Sequence, residues 1–136
     1  MNRNDVNNFE KISGQLLSIY EEISLLSKKN PNDAINKFKL KFINTIIAES
    51  NLFISSNGNY LPYDDFTSFD EDDIPQNSDV VFILAQYLQC LEKLRADNVT
   101  KRNGIWFWKL TPDENDTPDD KGFIYLQTIK PKGLRE

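Results

Sequence analysis

Apolar side chains recur at Phe9, Ile12, Leu16, Ile19, Ile23 and Leu26, a 3-4-3-4-3 spacing that lays them along one stripe of a helix. A helix is predicted over about 5–29, with Leu17 and Tyr20 widening the stripe. Asn4 or Asp5 can cap its start, and Lys28 and Lys29 suit the negative end of its dipole. Gly14 costs about 1 kcal/mol relative to alanine inside a helix, so this helix needs packing partners.

Asn30-Pro31 breaks that pattern and supplies start signals for a second helix over about 31–53: Asn30 as cap, Pro31 at the first position, Asp33 in the first turn. Ile35, Phe38, Phe42, Ile46 and Glu49 share one face, with Leu40, Ile43 and Ile47 alongside and Lys37, Lys39 and Lys41 toward solvent. So short a connection predicts an antiparallel helical hairpin. A third helix is predicted over about 79–97, capped by Asn77 or Ser78 with Asp79 in its first turn. Val80, Val81, Ile83, Leu84, Tyr87, Leu88, Leu91 and Leu94 cover more than half its circumference, which marks it as the central helix and places Cys90 on an apolar surface.

Residues 60–77 have no sustained period, two prolines and scattered acids, yet Tyr60, Leu61, Tyr63, Phe66, Phe69 and Ile74 are too apolar for a disordered tract. An ordered loop with rings inward and carboxylates outward satisfies both. After the Asn103-Gly104 turn signal, β-prone runs at about 104–110 and 122–129 predict an antiparallel hairpin with a long acidic connection. Alternation puts Trp106 and Trp108 on one face, with Ile105 and Phe107 on the other. The remainder, KPKGLRE, is a frayed basic tail. The expected fold is a single α+β domain, mainly α: a three-helix core with a C-terminal hairpin.

Charge sharpens this picture. The 136 residues carry a net −5, and from Phe42 to Glu92 nine carboxylates meet no lysine or arginine. Acids without counter-charges repel one another and seldom favour folding. Interleaved with rings in YLPYDDFTSFDEDD, they suit a surface offered to something positive. The candidate partner-binding residues are Tyr63, Asp64, Asp65, Phe66, Phe69, Asp70, Glu71, Asp72 and Asp73. The carboxylates would steer and pair, and the three rings would anchor. Acidity argues against direct nucleic-acid binding and against anionic membranes. The lysines at 28, 29, 37, 39 and 41 form a patch of opposite sign, either a solvated face or the counterpart of a neighbouring copy's acidic loop in a homodimer.

The absence of histidine removes the commonest general base and most zinc sites, and one cysteine allows neither a disulfide within the chain nor a thiolate cluster. No glycine-rich phosphate cradle occurs. Asp113, Asn115, Thr117 and Asp119 imitate the start of a calcium loop, but Pro118 stands where the turn needs glycine and Ile124 where a bidentate glutamate belongs. No catalytic residue, metal or cofactor is assigned. With no signal peptide and a lone thiol, cytoplasmic residence is expected. The expected function is a non-catalytic acidic inhibitor of the immunity or antitoxin kind, covering the cationic cleft of a nuclease-like toxin. Its alternatives are an adaptor or subunit of a larger cytoplasmic complex, and a phage-type inhibitor that mimics nucleic acid.

Overall fold

A computed structural model describes residues 1–133. Three helices, α1 (Arg3–Lys29), α2 (Lys37–Ser56) and α3 (Asn77–Asp97), precede strands β1 (Val99–Arg102), β2 (Ile105–Leu110) and β3 (Ile124–Gln127). The fold is α+β, mainly α, as expected. Part of the expected basic tail, residues 134–136, lies outside the described residues.

The apolar stripe of α1 is the buried one: Val6, Phe9, Ile12, Leu16 and Ile23 are inside. Its start lies earlier than predicted. Asn2 caps it, accepting from the Asp5 N–H at 2.9 Å while Asp5 accepts from the Asn2 N–H. α1 packs more extensively on α3 than on α2, which makes α3 the centre, with Val80, Leu84, Tyr87, Leu91 and Leu94 buried. Cys90 is half-buried on α3, and that burial pushes its thiol pKa up.

The second helix corrects the sequence reading. It starts at Lys37 rather than Pro31, capped by Asn36, whose side chain accepts from the N–H groups of Phe38 and Lys39. Residues 30–35 serve α3 instead. The Asn77 N–H donates to the Asp33 carbonyl, the Ser78 N–H to Pro31, and the Asn77 side-chain amide to Asn30. The Pro31 and Asp33 carbonyls thereby satisfy orphan N–H donors at the α3 N-terminus, and residues 30–33 close only a single turn, from the Asp33 N–H to the Asn30 carbonyl at 3.3 Å. Gln76 rather than Asn77 or Ser78 flanks that helix, its N–H donating to Asp79. On α2 the buried face runs through Leu40, Ile43, Ile46, Ile47, Ser50, Phe53 and Ile54, and Phe38 and Phe42 are exposed.

The expected hairpin is a three-stranded antiparallel sheet in the order β1-β2-β3. Asn103 and Gly104, with φ of 52° and 80°, make a turn with positive φ at both central residues, and it joins a strand the sequence reading lacked, VTKR, to β2. Trp108 pairs with Val99 on one side and Leu126 on the other, so these side chains share one face. That face meets the helices: Trp108 is buried and lies edge-on to Phe9, with centroids 5.0 Å apart. Trp106 is only half-buried, with the Lys101 ammonium 5.8 Å from its ring centre.

Arg95 is an outlier inside this core, 4% exposed. Its guanidinium lies 5.0 Å from the Phe9 ring centre and 5.7 Å from that of Trp108. Its Nε stands 3.9 Å from Glu92, within ion-pair reach but beyond a hydrogen bond. Glu92 itself accepts from the Lys132 N–H at 2.9 Å, which ties that residue to α3.

Candidate functional site

The loop between α2 and α3 is tied down by side chains of α2. The Asn44 amide donates to the Phe69 carbonyl at 3.0 Å and its oxygen accepts from the Phe69 N–H at 2.8 Å. Seven residues on, two turns along the same face, Asn51 donates to the Phe66 carbonyl at 3.2 Å and accepts from the Tyr87 hydroxyl at 2.6 Å. Sequence reasoning missed both. The legible signal was a pair of asparagines spaced at two turns beside the apolar stripe of α2, where a polar group needs a partner.

The loop ends are fixed as well. The Tyr60 hydroxyl donates to Asp97 at 2.6 Å. That bond, with burial second, pushes the Tyr60 pKa up to about 12, while the same bond holds the Asp97 carboxyl below its usual range. At the far end the Ile35 N–H donates to Pro75, and Ala34 bridges Gln76.

Rings and acids separate as expected. Leu61, Phe66, Phe69 and Ile74 pack against the core, and Phe66 and Phe69 stack edge to face at 5.2 Å. Tyr63 is half-buried. Asp64, Asp65, Asp70, Glu71, Asp72 and Asp73 are all exposed. The Asp72 N–H donates to Asp70, which gives the 70–73 turn a local shape. No ion pair joins any of these six to a cation among the described residues. Phe66 and Phe69 therefore belong to the loop's own scaffold, and the accessible chemistry is carboxylate.

The second acidic loop, 111–123, differs in pairing two of its five acids with arginines. Asp116 takes Arg3 through both oxygens and also accepts from the Asp113 N–H. Asp119 accepts from the Tyr125 hydroxyl and the N–H groups of Phe123 and Lys121, with Arg102 3.6 Å away. These donors, Tyr125 first, lower the Asp119 pKa to about 2. Of the residues that imitate a calcium loop, Asp119 is thus occupied in closing its own turn, and no group of three or more potential metal-ligating side chains occurs among the described residues.

A groove of about 670 Å³ between α1 and α3 is lined by Leu17, Tyr20, Leu88, Glu92 and Lys132, and none of the six loop acids reaches it. Among the described residues no helix is long and apolar enough to cross a membrane. No protein-family model, curated protein or solved structure matches this chain.

Proposed function

We propose that this protein works by binding rather than by catalysis, as an acidic inhibitor that covers the cationic cleft of a basic, nuclease-like toxin in the cytoplasm. The observation that carries this reading is the contrast between its two acidic loops. Two of the five acids at 111–123, Asp116 and Asp119, are matched to Arg3 and Arg102, while none of the six acids at 64–73, on their pinned loop, joins an ion pair among the described residues. Unneutralised carboxylates held together repel one another, and that repulsion is relieved when a positive surface docks. Pinning matters because a loop already ordered loses little entropy on binding. The same field steers encounter, so association should be fast at low ionic strength.

Catalysis fits less well. There is no histidine, and none of the six carboxylates at 64–73 lines the grooves on α1. The adaptor reading draws support from Phe38 and Phe42, which are stacked one turn apart on α2 and exposed to solvent.

The test is co-purification and calorimetry with a basic nuclease domain encoded beside this chain. Reversing Glu71, Asp72 and Asp73 to lysine should weaken association by at least about 100-fold, with melting unchanged because none of the three packs inside and the Asp70 turn bond is kept. Equal affinity in wild type and the reversed variant rules the reading out.

A further inference from the structure

The two edges of the sheet differ in charge. The outer strand β1 carries Lys101 and Arg102, side chains of the kind that keep an edge from recruiting another strand. The other outer strand is β3, and the run IYLQTI from Ile124 to Ile129 holds no charge, proline or glycine. Charge returns only at Lys130. Arg102 does reach over the Tyr125 ring at 3.7 Å, but there it is matched by Asp119 at 3.6 Å. A β-prone, uncharged edge pairs readily with a copy of itself.

Backbone geometry leaves this edge open. The Thr128 N–H donates to the Trp106 carbonyl at 2.9 Å, and Leu126 stands opposite Trp108. Antiparallel bonding alternates, so Leu126 and Thr128 turn their backbone groups toward β2 while Tyr125 and Gln127 turn theirs outward. No backbone hydrogen bond outside the β2 ladder engages Tyr125 or Gln127 among the described residues. The same register carries Ile129 opposite Ile105, and these side chains are 61% and 43% exposed. An apolar patch thus adjoins unpaired backbone, which is a template for one more strand.

We propose that β3 pairs with β3 of a second copy, antiparallel about a two-fold axis at Gln127, joining two three-stranded sheets into one. A second copy suits this edge because two identical uncharged strands meet with no like charges opposed. The register follows from what closes each end. The Asp119 N–H donates to the Phe123 carbonyl and its carboxylate accepts from the Phe123 N–H, so the backbone of Phe123 is already engaged. Beyond Ile129, Pro131 is buried and the Lys132 N–H is bonded to Glu92 of α3. The open length runs from Tyr125 to Ile129, and its middle is Gln127. A two-fold there sets Gln127 against its own copy and Tyr125 against Ile129 of the second copy. The charged β1 edges then lie outermost and stop the assembly at two chains.

Sedimentation equilibrium on the full chain, from about 5 μM to about 500 μM, tests it, because a dimer forms by mass action. The average mass should rise toward two chains and no further. It should do so in about 0.02 M and about 0.5 M salt alike, since the contact carries no charge to screen. The Gln127 amide should exchange slowly in the dimer and fast on dilution. Gln127→Lys and Gln127→Glu each set like charges across the axis, and each should weaken the dimer about fivefold or more. Circular dichroism should not change, because Gln127 is exposed. Mixed together, the two variants should pair one to one. A wild type that stays monomeric throughout overturns the proposal, as does growth beyond two chains. Undiminished dimers of both charged variants, or failure of the mixture to pair, overturn it too. A dimer whose Gln127 amide exchanges as fast as the monomer's uses another surface and overturns it equally.

Discussion

Asn44 and Phe69 exchange two hydrogen bonds, amide to carbonyl at 3.0 Å and N–H to amide oxygen at 2.8 Å, so that a helix side chain pairs with loop backbone as a strand would. Asn44→Ala removes both at a half-buried position and should cost about 1–2 kcal/mol. Hydrogen exchange reads it directly: the Phe69 amide should lose protection while the α3 core amides keep theirs. A Phe69 amide that exchanges as slowly in the variant would show the loop to be held by its rings alone.

The Tyr60–Asp97 latch has a defined pH window. Tyr60 has a folded pKa raised from 10.0 to about 12, so its stabilising contribution is whole below pH 10 and is lost as pH rises toward 12. Asp97 is lowered from 3.8, so its contribution is present above that value and lost as pH falls further. The latch should hold between about pH 4 and pH 10. Asp97→Asn should return the Tyr60 titration toward 10, followed by tyrosinate absorbance with Tyr60→Phe as the blank.

Gly58 guards that latch. Its φ of 134° is open to glycine, and an added Cβ would stand 2.6 Å from the Tyr60 ring. Gly58→Ala should therefore displace Tyr60, abolishing its high-pH titration at a cost of about 1–2 kcal/mol from backbone strain. Urea unfolding with the tyrosine titration checks both parts.

Asp119 governs the acid limb of the other loop. Its pKa falls from 3.8 to about 2, so its support for residues 113–123 persists above 3.8 and disappears as pH drops through 2. Tyr125→Phe removes the largest cause and should move the Asp119 titration up toward the ordinary carboxylate value, as followed by carboxyl carbon shifts in NMR.

Arg95 separates packing from charge. Its Nε and Nη1 are buried without hydrogen-bond partners among the described residues, so the guanidinium contributes chiefly by filling the space beside Phe9 and Trp108. Arg95→Met should be within about 1 kcal/mol of wild type or more stable, because a desolvated, poorly paired charge is replaced by apolar volume. Arg95→Ala should lose about 2–4 kcal/mol through the cavity it leaves. Thermal melts of the two variants should diverge accordingly.

How far the fold was legible depended on whether a residue's role is local. The α1 stripe and the α3 wrap are periodic, and helix period translates directly into a buried face. The Asn103-Gly104 signal was also sound, because positive φ at both positions is a property of those residues. Val99–Arg102 was not legible, since four residues with two charges carry no strand period and pair only because β2 lies beside them. Pro31 pointed to a helix start that α3 prevented by taking the carbonyls of Asn30, Pro31 and Asp33.

Sequence alone determined that six acids would sit together on a loop whose rings turn inward, because hydrophobic burial and charge hydration act residue by residue. Only the tertiary structure decided that Asn44 and Asn51 would pin that loop, that Arg3 and Arg102 would be committed to the other acidic loop, and that Phe38 and Phe42 would face water. Each of those outcomes depends on which groups the packing of α1 and α2 on α3 brings within hydrogen-bond or ion-pair reach. Distance in space, unlike periodicity, is not written along the chain.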